Sequence, residues 1–261
     1  MNAPTGHSDG TVGKALDVLE AVAAAGRPVR FSELLATKRW PKATLYRLLQ
    51  TLTNQGMLVQ DAREGTYRLG LRLVQLAHRA WSSATIAPVA GPFVDRLAAT
   101  LGRTVHLACL DHGQVLYLDK RSARTPLPMY SDAGKVGPAY CTGVGKAMLA
   151  FLPEAALRSA LRAQAFDTHT PATITSAEAL LDELAQIRDA GLAFDREEHE
   201  PGIICIAAPI RAATGEPLGA LSVTSSTLRD RLEDLAALGP DLMTATTDIS
   251  AALHPWAHPD P

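Results

Sequence analysis

The chain has 261 residues, 47% hydrophobic and 20% charged, with 25 Lys/Arg against 27 Asp/Glu for a formal net charge of −2. That balance suits a globular protein with two cores and argues against a disordered or fibrous chain. No run approaches about 18 consecutive apolar residues, and the start MNAPTGHSDG lacks the charged and apolar regions of a signal peptide, so a cytoplasmic protein without membrane contact is expected. Cys109, Cys141 and Cys205 are odd in number and widely spaced, matching neither a disulfide framework nor a CxxC metal site; reduced thiols are expected.

In chain order, residues 1–8 and the tail 254–261 read as disordered ends. Val12, Ala15, Leu16, Leu19 and Val22 form one apolar stripe of a first helix, ended by Gly26 and Pro28. A short second helix runs from about Ser32 to Thr37, with Ser32 as N-cap and Glu33 in its first turn. The stretch Trp40 to Asn54 predicts a third. Leu45, Leu48, Leu49 and Leu52 line one side of it, while Ala43, Arg47, Gln50 and Asn54 line the other, with Pro41 at the first helical position and Gly56 as the stop. Two β-prone runs, Met57 to Gln60 and Thr66 to Leu69, flank the turn Asp61 to Gly65.

Three helices and a β-hairpin make a winged helix-turn-helix over residues 9–70, in which the second helix of the motif enters the DNA major groove. On that reading Lys42, Ala43, Thr44, Tyr46 and Arg47 meet double-stranded operator DNA, and Arg68 on the wing meets phosphate. Charge placement supports it. Residues 9–80 hold 11 Lys/Arg and 6 Asp/Glu, a net +5, which leaves −7 on the remainder. A basic module on an acidic one is the footprint expected when only one part meets nucleic acid.

From Gly70, LGLRLVQLAHRAWSSA predicts a linker helix over residues 71–84, with Leu73, Val74, Leu76, Ala77 and Trp81 spread around much of its circumference. Such a surface needs a cover, most simply its own copy in a homodimer; packing within one chain is the alternative.

A second domain is expected over residues 85–253. VAGPFVDRLAATLG reads as a helix ended by Gly102, and TVHLACL and QVLYLDK as strands around Asp111-His112-Gly113. The proline- and glycine-containing stretch from Arg121 to Tyr140 is a long loop of the kind that often binds ligands. Thr142 is a candidate cap for a helix beginning at Gly143, and Pro153 opens another. Thr175-x-x-Glu178 reads as a capping box for a helix whose stripe is Ala177, Leu180, Leu181, Leu184 and Ile187, stopped by Gly191. IICIAAPI and PLGALSVTS form a last hairpin across Gly215-Glu216. The class is α+β, not a βαβ Rossmann unit.

Gly143-Val144-Gly145-Lys146 invites comparison with a phosphate-binding loop. It fails on spacing, since the first glycine should fall at Tyr140 and a Ser or Thr at Ala147. The glycines instead let backbone N–H groups approach a ligand. Phe194 to Gly202 concentrates Asp195, Glu197, Glu198, His199 and Glu200, a pattern commoner in solvated loops than in catalytic sites. An enzyme fused to a DNA-binding segment would draw on Asp195, His199 and Cys205. No second histidine stands at i+4 and no Ser/His/Asp set appears, so neither catalytic residues, metal nor cofactor are expected. Cys205 reads as core, and Ser222 and Thr224, alternating with Leu221 and Val223, put two hydroxyls on one strand face as a pocket lining.

Taken together, TVGKALDVLEAV, PKATLYRLLQTLTNQGML with YRLG, YCTGVGKAMLA and FDREEHEPGIICIAAPIRAATGEPLGALSVTSS followed by Arg229 resemble the IclR family of bacterial transcription regulators, over roughly residues 9–253. The resemblance implies a winged helix-turn-helix, a linker helix and a GAF-like effector-binding domain, working as a dimer or tetramer and sensing a small, often carboxylate-bearing or aromatic metabolite. Most members repress and some activate. Carried over position by position, the effector pocket takes Gly143, Val144, Asp195, Cys205, Ser222 and Thr224. Tyr140 stands where a histidine is common, Lys14 where an arginine is, and Thr224 where a serine is frequent; Tyr140 and Met129 are expected to reshape the pocket. An Asp195 carboxylate would repel a carboxylate ligand unless a proton or a hydrogen-bonded hydroxyl intervenes. A third reading is a DNA binder with no ligand.

Overall fold

The computed structural model describes residues 10–253 except Lys38, Thr85 and Leu127, with the side chains of 83 and 84 also left aside. The end segments expected to be disordered lie outside the described residues. The chain divides into two compact units, one up to Ala84 and one from Thr85 onward.

The first unit holds α1 (Gly10–Ala24), β1 (Val29–Arg30), α2 (Phe31–Ala36), α3 (Lys42–Asn54), β2 (Leu58–Asp61), β3 (Thr66–Leu69) and α4 (Leu71–Ala84). Leu45, Leu48, Leu49 and Leu52 of α3 are all buried against Val18, Leu19 and Val22 of α1, as the helical period requires. Pro41 is the cap residue, not the first helical one: its ψ of 144° is extended, and its carbonyl accepts the first helical bond from Leu45 N–H at 2.9 Å. Ser32 likewise lies inside α2. Arg30 caps it, and Glu33 accepts the Arg30 N–H at 2.9 Å while pairing with Arg27 at 2.5 Å. The stripe expected on α1 is only partly buried, for Val12 and Leu16 are exposed beyond the reach of this core.

β1 and β2 flank β3 in an antiparallel sheet, with Leu58 opposite Leu69. Asp61 closes the hairpin turn by accepting the Arg63 and Glu64 N–H groups. Gly70 ends the wing where the chain folds back on itself: a Cβ there would lie 2.1 Å from the Gly56 carbonyl oxygen, so no side chain fits. On α4, Leu73 packs on this core, whereas Leu71 and Val74 are 75% and 63% exposed.

The second unit begins with α5 (Ala87–Leu101), then β4 (Thr104–Asp111), β5 (Gln114–Arg121), β6 (Val136–Gly137), α6 (Gly143–Leu149), α7 (Glu154–Ala163), α8 (Ala177–Ala190), β7 (Ala193–Arg196), β8 (Ile203–Arg211), β9 (Pro217–Ser226), α9 (Leu232–Ala236) and α10 (Gly239–Leu253). Its sheet runs β6-β5-β4-β9-β8-β7 with every neighbour antiparallel. β6, β7, α9 and α10 extend the two-hairpin outline read from the sequence. Both faces of the central strands are buried, which is why β8 and β9 read as near-continuous apolar runs. Ala108, Ala207 and Ala220 share one core with Val144, Ala147 and Met148 of α6 and with Leu180 and Leu184 of α8. α5 packs on β4 and β5, and α10 on β8, β9 and α5.

Two local expectations shift. The cap of α8 is Ser176, whose Oγ accepts the Ala179 N–H at 3.2 Å; Glu178 sits in the first turn without reaching back, so the capping box is not formed. On the same helix Leu180, Leu184 and Ile187 are buried while Ala177 and Leu181 face solvent. Thr142 does stand at the N-cap of α6, but its hydroxyl donates to the Pro138 carbonyl at 2.7 Å instead of accepting from the helix.

Candidate functional site

The surface of α3 separates cleanly from its buried side. Lys42, Ala43, Tyr46 and Arg47 are exposed and Thr44 is half-buried, all on or beside the first two turns. Gln50 Nε2 donates to Tyr46 Oη at 3.2 Å, and the Tyr46 ring meets Phe31 edge-on at 6.5 Å, so an aromatic side chain is held up on the exposed face. Arg68 is exposed on β3 beside a shallow groove it shares with Arg27. A helix offering Lys, Thr, Tyr and Arg from its N-terminal half can reach base edges and phosphates together.

A second constellation lies in the other unit and is built by strand register. Asp195 on β7 is opposite Cys205 on β8, Cys205 is opposite Thr224 on β9, and Thr224 is opposite Thr104 on β4; one step along, Ser222 is opposite His106. Residues opposite one another in antiparallel strands share a face. α6 lies on that face so closely that a Cβ on Gly143 would stand 2.6 Å from Cys205 Sγ and 3.3 Å from Ala207 Cβ. Only a glycine admits this approach, and it brings the Gly143 N–H to the Cys205 sulfur.

Gly143, Val144, Asp195, Cys205, Ser222 and Thr224 thus line one cavity, joined by His106, Tyr117, Ser131, Thr142, His199, Glu200 and Ile203. Its interior leaves about 30 Å³ for the centre of a water-sized sphere, room for roughly one or two waters with the walls as they stand. His106 is the residue the sequence reading missed. It is buried, with Nε2 3.0 Å from Ser131 Oγ and Nδ1 3.4 Å and 3.3 Å from the Ser222 and Thr224 hydroxyls. Burial lowers its pKa to about 3, with Lys120 adding to the effect, so the ring is neutral. A neutral ring nitrogen has either one proton or one lone pair, so Nδ1 satisfies one of the two hydroxyls at a time and leaves the other free to bond into the cavity. A histidine in an apolar strand was visible in the sequence; its place across from Ser222 was not.

Asp195, read as part of a solvated loop, is instead a buried strand residue. Its Oδ1 accepts the Glu198 N–H at 2.8 Å. Burial raises its pKa to about 7, helped by the neighbouring Glu198, so near neutrality the carboxyl is often protonated and can donate. Beside it, Lys146 is fully buried, 2.5 Å from Glu198 Oε1 and 3.3 Å from Glu183 Oε1. Arg196 reaches Glu183 at 2.8 Å. The lysine of the glycine-rich turn is therefore committed to an internal ion pair. Burial outweighs Lys146 at Glu198, whose pKa is raised.

Tyr140 and Met129 do not line the cavity. The Tyr140 hydroxyl donates to the Asp167 carbonyl at 2.6 Å and meets His169 Nε2 at 3.1 Å, which turns it away. The long loop contributes Ser131, and Tyr130 N–H donates to Glu200 Oε1 at 2.8 Å. The set Asp195, His199 and Cys205 has no activated nucleophile: Cys205 is buried, and burial with Asp195 nearby pushes its thiol well above the ordinary range. Cys141 and Cys205 are buried and Cys109 half-buried, all free thiols. No described helix is long and apolar enough to cross a membrane.

Two family models match the chain, "IclR helix-turn-helix domain" over residues 11–62 and "Bacterial transcriptional regulator IclR C-terminal" over residues 78–251. The HTH-type transcriptional regulator XynR of Escherichia coli K12 is 34% identical over 93% of this chain and 96% of its own length. The HTH-type transcriptional regulator KdgR of the same strain is 33% identical over 97% of both chains. Among solved structures, an IclR homologue from Microbacterium hydrocarbonoxydans complexed with 4-hydroxybenzoate is 25% identical, with a TM-score of 0.81 over 94% of this chain and 99% of that one. These relatives are regulators, not enzymes. A helix-turn-helix unit with an exposed basic recognition helix, an antiparallel α+β unit with a buried polar cavity, and matches that span both units make this chain a member of the IclR family of transcriptional regulators.

Proposed function

We propose that the chain is a cytoplasmic, ligand-responsive repressor of a metabolic or catabolic operon. Residues 9–70 bind operator DNA through Lys42, Ala43, Thr44, Tyr46, Arg47 and Arg68, residues 71–84 form the linker, and residues 85–253 hold the effector. The observation that carries the reading is the cavity beneath α6, where Asp195, Cys205, Ser222, Thr224 and the Gly143-Val144 turn converge from four elements. Polar groups gathered inside a core are costly to maintain without a ligand or structural purpose.

The effector class we assign is a small carboxylate or aromatic metabolite. The relative with 4-hydroxybenzoate bound supports that class, and the free hydroxyl of the Ser222/Thr224 pair supplies a donor for a ligand oxygen. The exposed apolar residues of α4 support a homodimer, alone or paired into a tetramer, since two recognition helices about one DNA turn apart read a pseudo-palindrome. Repression follows the commoner habit of the family. An effector shifts the operator-binding equilibrium only by its differential affinity for the two states.

The test is a thermal-shift screen against aliphatic and aromatic carboxylates and their hydroxylated relatives, repeated on Asp195→Ala and Ser222→Ala. A ligand at about 100 times its dissociation constant stabilises by roughly 2.7 kcal/mol. A selective shift lost in both variants is expected. A shift that survives both moves the effector elsewhere, and operator binding indifferent to every compound favours a ligand-independent DNA binder.

A further inference from the structure

The cavity poses an electrostatic problem for the ligand class proposed for it. Among the described residues its wall carries two carboxyl groups, Asp195 and Glu200, and no lysine or arginine. The cations nearby are already matched. Lys146 and Arg196 stand against Glu198 and Glu183, two positive groups for two negative ones. Lys120 on β5 donates to the Ser131 carbonyl at 2.8 Å, and its field at His106 is opposed by that of Asp132. An anionic ligand would therefore add charge of the same sign to a buried acidic wall.

Asp195 is the group placed to resolve this. It faces Cys205 from β8 and the Gly143 turn from α6, with Glu198 and Glu200 on the following loop and Lys146 one turn farther along α6. Tyr117 of β5 and Cys141 are the other titratable groups that feel it, and burial pushes both of their pKa values up, so neither offers a charge. His199 at the rim is neutral, its pKa lowered to about 4 by burial and by His169. One Asp195 oxygen is committed to the Glu198 N–H, and the side chain remains part of the cavity wall.

We infer that a carboxylate effector enters this cavity together with one proton, which Asp195 and the ligand carboxyl group share, so that binding of the acid is coupled to proton uptake from solvent. The balance is simple: ligand carboxylate, Asp195 carboxylate and one proton from solvent give a complex with a single negative charge, where the two carboxylates alone would carry two. The raised pKa of Asp195, about 7, is consistent with a carboxyl group ready to hold that proton. The inference rests on the reading of this cavity as the effector site.

Isothermal titration calorimetry of the full chain tests it. The probes are 4-hydroxybenzoate and glycolate, each beside its uncharged amide, in two buffers of different ionisation enthalpy at about pH 6 and about pH 8. At the higher pH the acids should take up about one proton and lose affinity by about tenfold per further pH unit, while the amides show neither effect. Asp195→Asn, which keeps an acceptor for the Glu198 N–H, should bind the acids without uptake and without the pH slope. Acid binding with no uptake across this range overturns the inference and leaves the cavity assignment standing. Acid binding unchanged in both Asp195→Ala and Ser222→Ala overturns the cavity assignment and the inference with it. If no probe binds, the carboxyl carbon shift of Asp195 in the free chain decides: titration near neutrality supports the inference, and titration in the ordinary carboxylate range overturns it.

Discussion

Gly143 and Cys205 approach one another so closely that a single methyl group on the glycine would lie 2.6 Å from the sulfur. The first turn of α6 rests on β8 at this point, and the wall of the cavity depends on it. Gly143→Ala should therefore cost about 1–3 kcal/mol through overpacking. Cys205→Ala in the same chain should recover part of that loss, though Ala207 Cβ at 3.3 Å keeps the repair incomplete. Denaturant midpoints of the two single variants and the double variant measure it. Additive costs would show that the two residues do not clash.

Among the described residues Lys146 is the one lysine with no exposure at all, held between the carboxylates of Glu198 and Glu183, the second of which also pairs with Arg196. Replacing it by Met leaves Glu198 and Glu183 with only Arg196 for company in a buried setting. A loss of about 3–5 kcal/mol is expected, the usual penalty for an orphaned buried charge. Adding Glu198→Gln should return a good part of it. Thermal unfolding of the chain from Thr85 onward, if it folds alone, or of the whole protein would show the coupling.

The pH dependence of stability has opposing parts. Asp195 has its folded pKa raised from 3.8 to about 7, so the folded state holds a proton the unfolded chain has lost; its contribution is present below pH 3.8 and disappears as pH rises to about 7. That interval corresponds to roughly 4 kcal/mol. His106 and His199, lowered from 6.5 to about 3 and about 4, act the other way, gaining stability as pH rises toward 6.5. Two histidines outweigh one carboxyl, so over the shared window the unaltered protein should gain stability as pH rises, at about half the slope the histidines alone would give. Asp195→Asn should roughly double that slope, read from denaturant midpoints at several pH values. Parallel profiles for the two proteins would remove Asp195 from the account.

On the DNA side Arg47 and Arg68 should fail differently. Arg47→Ala should cost about 1–3 kcal/mol on the operator and relax discrimination at one base pair. Arg68→Ala should weaken all sequences alike and lower the slope of affinity against salt by about one contact. Fluorescence anisotropy with operator and scrambled duplexes over a salt series separates the two. Equal effects of both variants on the two duplexes would make Arg47 a phosphate contact.

What the sequence determined by itself was whatever a local period can encode. Four leucines at helical spacing place the buried side of α3, and with it the side that carries Lys42, Thr44, Tyr46 and Arg47. Alternation along β9 puts Ser222 and Thr224 on one face without any knowledge of a partner strand. Only the tertiary structure decided what those hydroxyls meet. His106 is more than a hundred residues away along the chain, and its pairing with Ser222 is a matter of strand register, which a period-two pattern leaves open to every even shift. Asp195 shows the same limit: within a run of charged residues it reads as solvated. It is buried because β7 pairs with β8 and carries it beneath α6, where burial alters its chemistry. Side-chain identity and spacing are local properties, whereas desolvation and the neighbours across a sheet are properties of the assembled core.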